Sequence, residues 1–239
     1  MFSRIFSFFW NTDAASIGRP LFYQTLPKDH RPVFVIGDLH GCVSVLRRIE
    51  AAISRDLAGK EAHVVLLGDV IDRGPDSAEM LDHLLRRPPQ GQTRHVLLGN
   101  HEMMFARFLD NPNFAPEWLQ NGGMETLSSY GIDIRSFAAW SWNKKNLNLQ
   151  AHIPPEHRAF LAKLPAILLW GNVVFAHAGI DFSKPISAQT EDKLLWSKKR
   201  TSPDTVPDQK LLVHGHFPVS APDINQNVIN LDVGTYVTN

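Results

Sequence analysis

Six short apolar runs, most of them broken off by a knot of glycine and polar residues, constrain this chain more than any other feature. They are Val33–Ile36, Val64–Leu67, Val96–Leu98, Val173–Phe175, Leu211–Val213 and Val228–Leu231. Continuous β-branched and aliphatic runs of this length suit strands covered on both faces, where strict alternation is not required. Between the first two, Val45, Leu46, Ile49, Ile53 and Leu57 recur at helical spacing with Arg47, Arg48, Glu50 and Arg55 turned outward, which predicts an amphipathic helix. A second helix is expected after Pro75 and Asp76, carrying Met80, Leu81, Leu84 and Leu85 and stopped by Pro88-Pro89. The opening order β-α-β-α-β places the chain in the α/β class.

With 239 residues, 44% of them hydrophobic, the chain is long enough to bury a sizeable core, and one domain over residues 1–239 is the expected division. Its first 30 residues read as an N-terminal arm. Residues 103–165 read as a helical insertion over one end of the sheet, because turn signals at Asn111-Pro112, Gly122-Gly123, Gly131 and Pro154-Pro155 cut it into pieces too short to bury a core alone. Lys and Arg number 24 against 24 Asp and Glu, so no basic excess draws nucleic-acid phosphates, and no nucleic-acid partner is expected. Cys42 is the only cysteine; it cannot close an intramolecular disulfide, and a reducing cytoplasm is the simplest compartment. The apolar stretch Phe2–Trp10 is far shorter than the roughly 20 residues a membrane span needs. Its Phe2, Ile5, Phe6 and Phe9 are expected to dock on the protein's own surface.

The polar turns at the strand ends carry the chemistry. The first three strands run into Gly37-Asp38-Leu39-His40-Gly41, Gly68-Asp69-Val70-Ile71-Asp72-Arg73-Gly74 and Gly99-Asn100-His101-Glu102, and two later ones into His177-Ala178-Gly179 and His214-Gly215-His216. Carboxyl ends of strands are where open α/β sheets place ligands. Oxygen and imidazole donors from several rigid strand ends can converge there, with glycine letting the backbone turn beside them. A pair of divalent ions about 3.5–4 Å apart needs one shared carboxylate and separate donors on each side. Asp38, His40, Asp69, Asn100, His177 and His216 supply such a set.

The series GDLHG, GDVIDRG, GNHE, HAG and GHFP, spanning Val33 to about Gly234, resembles the phosphoprotein phosphatase family of calcineurin-like metallophosphoesterases, in its short bacterial and phage forms. That resemblance implies two mixed β-sheets in a sandwich flanked by helices, with two divalent metal ions at the sheet edge: manganese first, iron or zinc as alternatives. It implies that Asp38 and His40 hold one ion, that Asp69 bridges, and that Asn100, His177 and His216 hold the other. His216 is preferred to His214 because the family's last motif reads Gly-His-x-Pro. A metal-bridging water then attacks phosphorus in line with the leaving oxygen. His101 is the expected general acid with Asp72 orienting it, and Arg73 and Asn100 are expected on the phosphoryl oxygens. Glu102 is expected to brace its turn, and Cys42 to be a small buried side chain.

Two departures stand out. Phage-type relatives carry a second phosphate-binding Arg shortly after a Trp, where Trp196-Ser197-Lys198-Lys199-Arg200 stands here, leaving Lys198 or Arg200 for that task. The closing Asp232-Val233-Gly234 resembles the family's last turn and is soon followed by Asn239, so a shortened edge, or a chain trimmed at this end, is expected. The leading functional expectation is a phosphatase of phosphorylated protein side chains, phospho-Ser/Thr with phospho-Tyr open. The alternatives are hydrolysis of dinucleoside polyphosphates and an inactive phosphate-binding scaffold. Asp72 favours the first, since the symmetrical dinucleoside tetraphosphatases resemble Ala-Arg where Asp72-Arg73 stands, and Trp118–Gly123 also resembles a stretch of bacterial protein phosphatases. Oligomeric state has no readable signal.

Overall fold

The computed structural model describes residues 21–112 and 116–238; the expectation for Phe2–Trp10 lies outside them. Nine strands among the described residues form two sheets. A three-stranded sheet runs in the order β2 (Val33–Ile36), β3 (Ala62–Leu66), β4 (Gln92–Val96), all parallel. A six-stranded sheet runs β1 (Tyr23–Thr25), β5 (Ile167–Trp170), β6 (Val173–Ala176), β7 (Leu211–His214), β9 (Val228–Asn230), β8 (Asp223–Ile224). The larger sheet is mixed, because β5 meets β6 and β8 meets β9 antiparallel.

Strand β3 is buried along its whole length, and its alternation shows why its sequence carries no polar face. Val65 and Leu67 pack with Leu97 against Leu168, Phe175 and Val213 of the other sheet. Val64 and Leu66 turn the other way, into the core that holds Leu46 and Ile53 of α1 (Val43–Leu57) and Met80 and Leu84 of α2 (Ser77–Leu85). Fully burying each such side chain contributes about 1.5–3 kcal/mol. Between β4 and β5 the described residues form only helices and turns, beginning with α3 (Asn100–Asp110).

Four local expectations are corrected. The third strand is Gln92–Val96 and not Val96–Leu98: as an edge strand it exposes Thr93 and half-buries Arg94 and His95, so its first residues carry no apolar signal. Ile167–Trp170, not among the expected runs, is a further strand paired with β6. Tyr23–Thr25, inside the stretch read as an arm, adds the edge strand of the six-stranded sheet beside β5. Glu50, expected on the outer face of its helix, is 2% exposed; Arg94 of β4 donates to it through Nε at 3.0 Å, and His83 lies 2.7 Å from its other oxygen. A buried carboxylate is tolerated where it is paired in this way.

Candidate metal centre

The register of the three-stranded sheet builds the site. Ile36 lies beside Leu66 and Leu66 beside Val96, so the turns carrying Asp38, Asp69 and Asn100 leave from one edge. In the other sheet Phe175 lies beside Val213, and His177 and His216 leave from that edge. Nδ1 of His177 donates to the Leu67 carbonyl at 2.9 Å, which ties the two edges together.

Two groups of side chains share Asp69: His40 and His101 on one side, His177 and His216 on the other. Asp69 Oδ2 is 3.4 Å from His177 Nε2 and 3.9 Å from His40 Nε2. Asn100 Oδ1 closes the second group, 2.8 Å from His177 Nε2 and 3.0 Å from His216 Nδ1. Asp38 stands next to that group, accepting the backbone N–H of His216 at 3.1 Å.

The chemistry of this donor set fits divalent cations. Nδ1 of His177 is committed to a carbonyl, and so is Nδ1 of His40, which donates to Ile71 at 3.0 Å. In their neutral forms both rings therefore turn a lone pair on Nε2 inward. Those lone pairs, the Asn100 carbonyl and the Asp69 carboxylate are acceptors facing one another, an arrangement that a cation satisfies. The field has the matching sign. Although burial works against it, the charges of Asp69 and Asp38 push His177 up to about 10. Where burial prevails, His40 falls to about 3, with a smaller opposing pull from Asp69, and His216 falls to about 4, with His177 adding to the shift.

The backbone is strained where it presents these groups. His40, Asp69, Asp72, Arg73 and His216 all have positive φ, from 45° to 70°, a left-handed conformation that costs a non-glycine residue about 1–2 kcal/mol. Two glycines leave room for the carboxylates: a Cβ at Gly99 would collide with Asp69 Oδ1, and one at Gly215 with Asp38 Oδ1. Glu102, fully buried, accepts the backbone N–H groups of Asp69, Val70, Ile71 and Gly99 at 2.8, 2.9, 3.3 and 2.9 Å. It is the clamp of the Asp69 turn.

His101 Nδ1 lies 2.7 Å from Asp72 Oδ2. Burial opposes its positive charge, but Asp69 and the Asp72 hydrogen bond outweigh that and raise its pKa. Asp72 is itself held by Trp118 Nε1 at 2.7 Å and by the Thr126 hydroxyl at 2.6 Å. Neither supporting role was legible in the sequence, although Trp118 belongs to the stretch singled out for its resemblance; the signal available was an indole whose N–H needs a partner once buried. Arg73 spreads its fork over the cluster, with Nη1 3.1 Å from His40 Nε2 and Nη2 3.2 Å from His101 Nε2.

Arg200 and Lys198 are not brought here. Arg200 pairs with Asp223 at 3.0 Å on the surface. Lys198 is exposed, and among the described residues no hydrogen bond or ion pair joins it to the cluster. Polar residues after a tryptophan set no direction, and the turn beyond it carries Arg200 to β8. His214, buried at the end of β7, donates through Nδ1 to the Gly215 carbonyl at 2.9 Å and joins neither metal group. Cys42 is buried, and burial pushes its thiol pKa up.

The family model of calcineurin-like phosphoesterases matches residues 31–234. The chain belongs to that family. Among similar calcineurin-like proteins, the bis(5'-nucleosyl)-tetraphosphatase PrpE [asymmetrical] of Bacillus velezensis is 27% identical over 84% of this chain and 83% of its own. The enzyme of the same name from Anoxybacillus flavithermus is 25% identical over 84% of each. Serine/threonine-protein phosphatase 1 of Salmonella typhimurium is 40% identical over 42% of this chain and 44% of its own. A solved structure described as a putative diadenosine tetraphosphatase shares the fold, with a TM-score of 0.60 at 22% identity over 90% of this chain and 89% of that one. Among the described residues no helix is long and apolar enough to cross a membrane.

Proposed function

We propose that this calcineurin-like phosphoesterase is a divalent-cation-dependent hydrolase that cleaves the phosphoanhydride chain of dinucleoside polyphosphates. The observation that carries the reading is the extent of similarity: the tetraphosphatases match over more than four fifths of both chains, at 83% or more, whereas the protein phosphatase matches over 42%. Asp72 speaks against the symmetrical tetraphosphatases alone. The full-length relatives are named asymmetrical, so that criterion does not bear on them.

Asp38, His40, Asp69, Asn100, His177 and His216 hold the cations, with manganese the first choice. Divalent ions at such a site supply positive charge to the phosphoryl oxygens and lower the pKa of a coordinated water. The chain's own groups do the rest. Arg73 turns its planar fork from the two imidazoles onto the phosphoryl oxygens. That frees Nε2 of His101 to hold a proton and pass it to the leaving oxygen as the old phosphorus–oxygen bond breaks. Water attacks phosphorus from the opposite side, forms the new phosphorus–oxygen bond and gives up a proton to solvent. Asp72 keeps Nδ1 protonated and the ring aimed.

The second reading, a phosphatase of phospho-Ser/Thr and phospho-Tyr side chains, is favoured by one specific feature. An alkoxide leaving from phosphoserine needs a proton, whereas a departing nucleotide phosphate carries its own charge well; the fully supported Asp72–His101 pair suits the harder leaving group. The panel that tests both is diadenosine tetraphosphate against phosphoserine, phosphothreonine and phosphotyrosine peptides, with manganese added and withheld. Dinucleotide cleavage to ATP and AMP, with kcat/KM at least about tenfold above every peptide, supports the first reading. The reverse ranking establishes the second, and no turnover of any phosphoester at full cation occupancy leaves the inactive scaffold.

A further inference from the structure

Arg73 makes no ion pair with a carboxylate among the described residues, although its charge reaches the buried Asp232. Among the described residues its guanidinium contacts are two imidazole nitrogens, of His40 and His101, and one aromatic ring. The ring is Tyr236, whose centroid lies 4.8 Å from the guanidinium carbon. The same ring stands edge-to-face on His40, at 5.0 Å and 81°. Such a contact holds a guanidinium without neutralising its charge, so its N–H groups, now on the two imidazoles, can be taken over by an anion.

Both ends of this contact are anchored. On the arginine side, the backbone N–H of Arg73 donates to the Gly122 carbonyl at 3.2 Å, and a Cβ at Gly122 would press on Arg73 itself. On the tyrosine side, the turn after β9 is built from buried polar groups. Asn230 Oδ1 accepts the Asp232 N–H at 3.1 Å, and Asp232 Oδ1 accepts the Gly234 N–H at 3.0 Å. Gly234 takes φ +64°, and the short helical turn Thr235–Thr238 then brings the ring beside Arg73 and His40. Tyr236 remains 38% exposed, so burial alone does not explain its place.

We propose that Tyr236 is a positioning residue for substrate phosphate: its ring face sets the plane of the Arg73 guanidinium so that the fork meets the phosphoryl oxygens. The proposal rests on the reading of Arg73 as the phosphoryl clamp. The ring face does this work, and the hydroxyl has no part in it.

The test uses the manganese-loaded full chain and reads inhibition by inorganic phosphate, together with kcat and KM for p-nitrophenyl phosphate. The variants are Tyr236→Phe and Tyr236→Ala, each with Arg73 intact and with Arg73→Ala. Tyr236→Ala is expected to weaken phosphate about 2–5-fold and to raise KM by a similar factor, with kcat within about twofold and cation content unchanged. Tyr236→Phe is expected to behave as the parent. In the Arg73→Ala background Tyr236→Ala is expected to cost nothing further. Equal losses for Phe and Ala, an unchanged loss without Arg73, or cation loss in Tyr236→Ala would each overturn the proposal. The arm with Arg73→Ala alone separates the two levels: if that variant binds phosphate as the parent does, the clamp reading fails first.

Discussion

The Asp72 carboxylate lies 2.7 Å from Nδ1 of His101 while the indole N–H of Trp118 donates to the same oxygen, also at 2.7 Å. The Thr126 hydroxyl takes the other oxygen, and Asp72 is fully buried. With His101 as the proposed acid, an orienting carboxylate held at both its oxygens leaves the ring little motion to lose on reaching the transition state. Asp72→Asn is therefore expected to lower kcat about 10²–10³-fold for alkyl phosphates and less than about tenfold for p-nitrophenyl phosphate. Steady-state rates across leaving groups of graded pKa check this. Equal losses for good and poor leaving groups would remove His101 from the acid role.

Glu102 gathers four backbone N–H groups of the Asp69 and Asn100 turns. Glu102→Gln can accept with only one oxygen and turns an amide donor toward N–H groups that also donate. Divalent-cation affinity is expected to fall about 10–100-fold, as it does when groups supporting metal ligands are removed. Calorimetric titration of the stripped protein with manganese measures it. Affinity equal to the parent's would show that the turn holds without its clamp.

Gly215→Ala would drive a methyl group into the Asp38 carboxylate. The expected result is a folded chain with cation affinity reduced by at least about tenfold, because the displaced group is the carboxylate and no core residue moves. Circular dichroism and metal analysis separate this outcome from unfolding.

Outside the candidate metal centre, His95 Nε2 lies 3.0 Å from Nδ1 of the buried His63, which in turn faces Asp29. Burial, then the nearby His63 and Arg31, pull His95 down to about 4. Its unfolded value is about 6.5, so between these limits the unfolded chain binds a proton that the folded chain refuses. Stability contributed by the neutral ring is present above pH 6.5 and is lost as pH falls toward 4, by about 1–3 kcal/mol. Denaturant titrations at pH 7 and 4.5 are expected to show a smaller acid loss in His95→Gln; identical losses would contradict this.

The sequence made β3 and the polar turns legible because burial on both faces leaves an unbroken apolar run, and because glycine beside Asp or Asn at successive strand ends is a rare pattern. It hid what depends on distant partners. Gln92-Thr93-Arg94-His95 is polar because β4 is an edge strand, and Arg94 draws Glu50 inward against its helical pattern. Trp118, Thr126 and Tyr236 reach the site from helices and a turn whose approach no local periodicity encodes. Arg200 shows the reverse: a residue of the right type at a suggestive spacing, which the chain path delivers to Asp223.

Asp69 belongs to both groups of side chains that could hold a cation, and the proposed hydrolytic chemistry depends on that sharing. Metal analysis of the chain after stripping and reloading with manganese tests this directly, for the parent and for Asp69→Asn. About two ions per chain in the parent, with both weakened together in the variant, is the predicted result. A parent that binds none, or a variant that keeps its full complement, would contradict it.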